Sequence, residues 1–346
     1  MKILLGISGG VDSAYAAKKL LDEGNRVEGA ILLMHEYSEL EEAKRVSDSI
    51  GIPLHIIDAT SDFDEIVKKD LCEEYLKGRT PNPCIICNER VKLKKIYDFA
   101  KANGFDRIAT GHYADIVKVD SFGEHRYAIK RPSDGKKDQS YMLYRLPQEI
   151  LSSIIFPLSG MHKDSVRQMA AETAIPVANR RDSQEICFLP DGNHAEYIES
   201  LYGKSAPGDF VDESGRIIGK HNGIIRYTVG QRKGLGISLG ERAFITKIDP
   251  FNNIITVSTE YRGYKRVLLR DTVGQLLTPK TGEIYTDLTV KLRYSAPDVP
   301  TKATILPDGA VMLEFDSPTK ASLGQSAVLY KNDTVAFGGI ISEVED

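Results

Sequence analysis

The stretch from Lys2 to Leu20 restricts what this chain can fold into more than any other. Ile3, Leu4, Leu5 and Ile7 form a short apolar run, Ser8-Gly9-Gly10-Val11-Asp12-Ser13 a small-residue turn, and Ala14, Ala16, Ala17, Leu20 and Leu21 recur at helical spacing. The pattern reads as a buried strand feeding a glycine turn into an amphipathic helix. A helix N-terminus reached in this way presents unpaired backbone N–H groups and the positive end of its dipole. Two glycines let the main chain approach an anion with no Cβ in the way, and Ser8 and Ser13 add hydroxyl donors. The turn is therefore expected to cradle phosphate. It lacks the lysine of GxxxxGK[ST] and the spacing of GxGxxG, which disfavours Walker-type and dinucleotide-binding readings. Asp12 is the odd member, because a carboxylate repels phosphate unless a cation lies between them.

Farther along, Val27 to Met34 reads as a second strand. Ser38 and Glu41 form a capping box for a helix to Ile50, closed by Gly51 and Pro53. Leu54 to Ile57 is a third strand, Phe63 to Leu76 a helix, Gly78 to Cys87 a long loop, and Asn88 to Asn103 a basic helix. Ile108 to Thr110 is a fourth strand, ending at Gly111-His112. This alternation predicts an α/β fold, a parallel sheet with helices on both faces and a ligand at the strand carboxyl ends. Met34 and Gly111 fall at such ends, where adenine and ribose contacts are needed. Beyond Gly111 the pattern loosens, with a helix over Ser165 to Thr173 and a short strand at Ile186 to Leu189. The first domain is expected to span 1–195. A glycine-rich segment, 203–260, has a helical start at Thr228-Val229-Gly230-Gln231 and forms a small central domain. From Tyr261 onward short strands alternate with turns (Leu276-Leu277, Leu288 to Leu292, Ala303 to Leu306, Val311 to Phe315, Ala327 to Tyr330, Thr334 to Phe337), the pattern of a small closed β-barrel over 261–346.

Charge is unevenly placed. The 346 residues sum to −4, yet residues 77–145 carry 15 Lys and Arg against 8 Asp and Glu, while residues 1–76 carry 8 against 16. A basic block within an acidic chain points to a polyanionic partner for that block. No apolar run approaches the roughly 18 residues of a membrane span, and the N-terminus does not read as a secretory signal. Four cysteines in this length do not make a disulfide framework, so a reducing, cytoplasmic setting is expected.

The basic block contains Thr80-Pro81-Asn82-Pro83-Cys84-Ile85-Ile86-Cys87-Asn88. Two prolines stiffen it. Cys87 sits at an expected helix start, followed by Arg90, Lys92, Lys94 and Lys95, and both dipole and cations would favour its thiolate. The CxxC pair could be half of a zinc site, but no second pair exists and Cys72 and Cys187 would have to converge on it. It could be a redox pair, although the flanking residues do not fit that motif. It could also supply a nucleophile. Cys187, in Arg180-Arg181-Asp182-Ser183-Gln184-Glu185-Ile186-Cys187-Phe188, acquires meaning only if the fold brings it to Cys87. Cys72 reads as a buried core thiol.

The phosphate turn, Asn82 to Asn88, Gly111-His112-Tyr113-Ala114, Lys137-Asp138-Gln139-Ser140-Tyr141, Ile186-Cys187-Phe188 and Tyr227 to Gly236 occur in the order found in the bacterial tRNA-specific 2-thiouridylases. These belong to the ATP pyrophosphatase (PP-loop) superfamily, and the chain resembles them over essentially its whole length. The resemblance implies an adenine nucleotide alpha hydrolase-like first domain and a tRNA-binding central domain. The implied enzyme is a tRNA-uridine 2-sulfurtransferase that adenylates the C2 oxygen of the wobble uridine, U34, with ATP and replaces it by persulfide sulfur. ATP would then be held by Gly6, Ile7, Ser8, Gly9, Gly10, Val11, Asp12, Ser13, Met34 and Gly111, with Mg²⁺ at Asp12. Cys87 would be the nucleophile and Cys187 the persulfide carrier, ending as a Cys87–Cys187 disulfide. Asn82, Pro83, Cys84, His112, Lys137, Asp138, Gln139, Arg293, Tyr294 and Gln325 would contact the tRNA anticodon loop. The sulfur would come from a sulfur-relay protein or a cysteine desulfurase. Many members have Asp where this chain has Cys84. That departure supplies a third thiol, so Cys84, Cys87 and Cys187 could instead hold a [4Fe–4S] cluster.

Two other classes carry a similar turn. An amidotransferase-type or argininosuccinate-type synthetase would not need the paired cysteines, and a non-catalytic RNA-binding protein would not need an intact nucleotide turn.

Overall fold

The computed structural model describes residues 1–121, 124–172, 186–237 and 242–346. Strands β1 (Lys2–Gly6), β2 (Arg26–Leu33), β3 (Leu54–Asp58) and β4 (Arg107–Thr110), with the two-residue strand Ile154–Ile155, form one sheet ordered β3-β2-β1-β4-(154–155). Every pairing in it is parallel. Side chains alternate across a strand. Ile3 and Leu5 accordingly pack into one core with Ala14, Ala17 and Leu20 of helix α1 (Val11–Asp22). Leu4 packs into the other, with Phe63, Leu71, Leu93 and Ile96. Both faces are covered, which is why these strands read as nearly continuous apolar runs. The strand order reverses between β1 and β4, and a crevice outside the carboxyl ends of the strands at such a reversal is where ligands bind in open α/β sheets.

A central sheet follows, with strands Phe244–Asp249, Ile254–Ser258, Gly208–Val211 and Ile217–His221 as neighbours in that order. The last part is a six-stranded barrel. Its strands are Tyr264–Gly274, Val311–Thr319, Val299–Ile305, Ile284–Lys291, Ser326–Lys331 and Thr334–Glu345, and the first pairs back onto the last to close it. Closure leaves no sheet edge to protect. A hairpin of Asp115–Ser121 and Glu124–Lys130 joins the barrel's sheet at Thr334 opposite Lys130. The side chain of Gln275, fully buried, fastens the barrel further. Its carbonyl accepts from Ile129 N at 2.8 Å, and its amide donates to Leu143 O at 2.9 Å and Tyr144 O at 2.8 Å.

Several local expectations give way. Helix Leu40–Ile50 has no side-chain cap, because the Ser38 hydroxyl accepts from Met34 N and His35 N in the preceding turn. Ile186 to Leu189 is a turn closed by Leu189 N donating to Ile186 O, and Thr228 to Gln231 is likewise a turn closed by Gln231 N donating to Thr228 O. Leu276-Leu277 follows its strand, which runs over Tyr264–Gly274. The loop after Gly78 ends early, because Asn82 caps a helix that begins at Pro83. Thr173 and Arg180 to Glu185 lie outside the described residues.

Candidate active site

Apolar β1 delivers the chain to the Ile7–Gly10 turn, and α1 begins at Val11 with Gly10 as its N-cap. Ser8 N donates to Ser13 Oγ at 3.1 Å, the two hydroxyls lie 3.2 Å apart, and Ser13 Oγ donates to Gly10 O at 3.1 Å. The turn is thus braced internally. Gly9 has φ of +74°, and a Cβ there would lie 2.8 Å from Glu42 Cβ. Gly111, directly after β4, approaches the start of α1 so closely that a Cβ would lie 2.8 Å from both Asp12 C and Ser13 N. Only glycine permits that approach.

The Asp12 carboxylate is not bare. Lys163 Nζ lies 2.7 Å from Oδ1 and 2.6 Å from Oδ2, and Tyr113 OH donates to Oδ1 at 2.9 Å. Lys163 thus pairs a cation with the Asp12 carboxylate. Met34 follows β2, and its N–H donates to Ser38 Oγ at 3.0 Å.

Asn82 accepts from Cys84 N at 3.2 Å, and Pro83 occupies the first helical position. Pro83–Ile86 leads into a π-helical turn, Cys87–Lys92, and then Leu93–Ala102. Cys87 therefore lies a full turn inside a continuous helical run, away from its N-terminus. It is 6% exposed, with Met34 Sδ 3.9 Å from its sulfur. Burial pushes its thiol up to about 11, and the ammonium of Lys92 opposes this only in part. The expectation of a thiolate-favouring site is corrected on physical grounds. The dipole end is a turn away, and three of the four cations are engaged elsewhere: Lys94 with Asp98, Lys95 with Asp62, Arg90 with Glu89.

Cys84 and Cys187 both reach solvent, and no cysteine is in a disulfide. Cys187 interacts electrostatically with Cys84, Cys87 and Lys92, so the fold brings these four groups to one place. Phe188 anchors the Cys187 segment, its ring 5.3 Å from Phe63 and 5.7 Å from Tyr197. Cys72 is fully buried in the core. Among the described residues no three His, Cys, Asp or Glu groups are gathered closely enough to hold a metal ion.

The remaining positions fall into two sets. His112 takes a 2.8 Å hydrogen bond with Thr110 Oγ1, and burial drives its imidazole down to about 3, so it is neutral at physiological pH. Asp138 is buried and accepts from Ser140 N. Gln139 Oε1 accepts from Tyr113 N at 2.8 Å. Gln325 Nε2 donates to Thr80 O at 2.7 Å, so the barrel braces the approach to Asn82. Arg293 belongs to a groove of about 470 Å³, lined also by Tyr261, Ser295 and Lys320, that contains none of the cysteines. Tyr294 is 37% exposed beside it, and Lys137 is half-buried.

Sequence reading missed Lys163, Tyr113 in its contact with Asp12, and Asp134. A signal for Lys163 existed. It opens the helix Lys163–Glu172, where the dipole disfavours a cation, so a lysine there calls for an acidic partner.

A family model described as a tRNA methyl transferase HUP domain matches residues 1–191. A second, described as a tRNA methyl transferase PRC-barrel domain, matches 195–259, and a third, an aminomethyltransferase beta-barrel domain, matches 274–341. The chain is similar along its length to the tRNA-specific 2-thiouridylase MnmA of Clostridium perfringens, 40% identical over 361 residues and 99% of each chain. It is equally similar to that of Treponema denticola, 40% identical over 362 residues, 100% of this chain and 99% of the relative. A solved chain described as a predicted subunit of tRNA methyltransferase from Methanocaldococcus jannaschii superimposes at a TM-score of 0.33 with 17% identity, covering 50% of this chain and 75% of that one. That fit is too loose to argue from.

Proposed function

The chain belongs to the tRNA-specific 2-thiouridylase family, and on that premise we propose how its residues form 2-thiouridine in tRNA with ATP. The Gly6–Ser13 turn and Gly111 hold the nucleotide, with Met34 beside the base. The C2 oxygen of U34 attacks the α-phosphate, pyrophosphate leaves, and the base carries AMP on that oxygen. The turn's N–H groups and hydroxyls stabilise the charge that develops on the departing pyrophosphate. The terminal sulfur of a Cys187 persulfide then attacks C2, AMP departs, and the base is joined to Cys187 through two sulfurs. The Cys87 thiol, its proton passing to the departing base, attacks the Cys187 sulfur, which releases the 2-thiouridine and leaves a Cys87–Cys187 disulfide. An external thiol reductant restores both groups.

What supports this reading is one observation. Cys87 and Cys187, a hundred positions apart in sequence, come into electrostatic reach of each other, and the Cys87 sulfur touches Met34 at the carboxyl end of β2, in the sheet whose β1 leads into the nucleotide turn. Cys187 reaches solvent, as a thiol loaded by a sulfur-relay protein or a cysteine desulfurase must. Four unpaired cysteines suit a reducing, cytoplasmic location, and among the described residues no helix is long and apolar enough to cross a membrane. Asn82, Pro83 and Cys84 would meet the flipped base. His112, Lys137, Asp138 and Gln139 of domain 1–195 and Arg293, Tyr294 and Gln325 of domain 261–346 would form or brace the surface for the anticodon loop, with domain 203–260 between them also tRNA-binding.

Mg²⁺ usually binds through one or two carboxylates plus substrate phosphates, and Asp12 fits the protein part of such a site. Bound there, it would neutralise the phosphates of ATP. A [4Fe–4S] cluster on Cys84, Cys87 and Cys187 fits less well, because these sulfurs are not gathered within metal-bonding reach.

The experiment is anaerobic purification with iron and acid-labile sulfide analysis, followed by thiolation assays. Iron-free protein that thiolates tRNA supports the persulfide route, and activity confined to cluster-reconstituted protein refutes it. Cys87→Ser should abolish thiolation while tRNA-dependent pyrophosphate release persists. Full thiolation by this variant would refute the role given to Cys87.

A further inference from the structure

Two chains of contacts run from one surface segment to the carboxylate of the nucleotide turn. The segment is 134–139, which ends in the Lys137-Asp138-Gln139 triplet. Along the first chain, buried Asp134 accepts through Oδ2 from the backbone N of Lys163 at 2.9 Å, while its Oδ1 accepts from Lys136 N at 3.1 Å. The Lys163 side chain, 6% exposed, then carries its ammonium to both oxygens of Asp12. Along the second, Gln139 and Tyr113 exchange two hydrogen bonds, with Gln139 N donating to Tyr113 O at 3.0 Å and Tyr113 N donating to Gln139 Oε1 at 2.8 Å. The Tyr113 hydroxyl, on a side chain 2% exposed, donates to Asp12 Oδ1.

Both chains are short and pass through side chains that are buried or, at Gln139, half-buried, so neither can shift without moving its neighbours. Both end on the same carboxylate, whose own side chain is 30% exposed. Asp12 is thus the solvent-facing end of a structure held from the 134–139 side. Gly111, two residues before Tyr113, already abuts the Asp12 backbone, so the segment also reaches the turn through the main chain.

The geometry points to Tyr113 and Lys163 as positioning residues that tie the 134–139 segment to Asp12, so that seating of tRNA on that segment fixes the carboxylate and tightens the hold on ATP. This rests on the reading that ATP binds the turn and that tRNA contacts residues 137–139. The purpose it serves is order. An activated nucleotide would be cleaved wastefully if the cradle were complete before the RNA arrived. Linkage makes the effect reciprocal, so ATP also tightens tRNA.

The test is a thermodynamic cycle on the full chain. Affinity for an ATP analogue blocked between the α- and β-phosphates is measured with and without a saturating tRNA transcript carrying an unmodified wobble uridine. Wild type should show tighter nucleotide binding with tRNA by about fivefold or more, the lower end of ordinary coupling factors. Tyr113→Phe removes only the hydroxyl, and Asp134→Asn replaces one carboxylate acceptor by a donor. In each the factor should fall toward one, and a pair of variants guards against one that does not fold. A factor of one in wild type overturns the proposal. So does a wild-type factor in both folded variants, including the case where ATP affinity drops equally with and without tRNA, because that marks a merely structural role. Wild-type protein that forms no 2-thiouridine would instead count against the reaction itself, and a separate thiolation assay reads it.

Discussion

Neutral pH should find Cys87 almost wholly protonated, a result opposite to what its cationic sequence neighbours suggest. The thiol moves from an ordinary 9.0 to about 11 because burial outweighs the Lys92 ammonium. That displacement corresponds to roughly 3 kcal/mol favouring the thiol, and at pH 7.5 to ionisation of about one molecule in three thousand rather than one in thirty. The assay is iodoacetamide labelling between pH 7 and 10.5, with the Cys87 peptide quantified by mass spectrometry. Its rate should climb about tenfold per pH unit with no plateau below pH 10. The shape of the profile matters and the absolute rate does not, since access lowers the rate at every pH alike. A plateau at or below pH 8.5 would refute the reasoning. Lys92→Met should slow labelling further, by removing the counter-charge. Stability carries the same signature. A group whose folded value is raised contributes stability that is intact below its unfolded value and lost as pH rises through the folded one. Unfolding free energy should therefore decline between pH 9 and 11, by up to roughly 3 kcal/mol from Cys87. Cys72, also raised to about 11 by burial, adds to the decline.

Gly111→Ala places a methyl 2.8 Å from the backbone of Asp12 and Ser13, and backbone cannot swing aside. Overpacking of this kind costs about 1–3 kcal/mol. The expected result is weaker ATP binding by calorimetry with tRNA affinity less affected. Arg145, 3% exposed, joins Glu89 at 2.7 Å, in the Cys87 helix, to Asp271 O at 3.1 Å, at the barrel. Arg145→Met should lower the thermal midpoint by the equivalent of about 3–5 kcal/mol, the usual result of breaking a buried pair. An unchanged midpoint would mean that water replaces the guanidinium.

The glycine turn after β1 and the parallel sheet were legible because their signals are local. Ile3, Leu4 and Leu5 sit side by side, and the glycines that follow have few alternative uses. The barrel was legible as evenly spaced short strands. What stayed hidden depends on partners distant in sequence. Lys163 lies 151 positions from Asp12, and Gln325 lies 245 from Thr80, so no window along the chain joins them. The hairpin of Asp115–Ser121 and Glu124–Lys130 was missed because its strands are charged and alternate weakly. Ser38 looked like a cap for Leu40–Ile50, but its hydroxyl accepts instead from Met34 N and His35 N in the preceding turn. Cys87 was misread for a related reason: neighbouring charges can be counted in a sequence, whereas burial is a property of the finished fold.

The Gln275 clamp has a consequence for anyone dissecting this enzyme. A fragment ending before residue 275 would keep the Ile7–Gly10 turn, every cysteine and the whole basic block, yet Ile129 N, Leu143 O and Tyr144 O would each lose the amide that answers them. Three main-chain groups left dry and unanswered would make such a fragment prone to clump or to be digested. The chemistry cannot be inherited, trimmed or transplanted without the barrel.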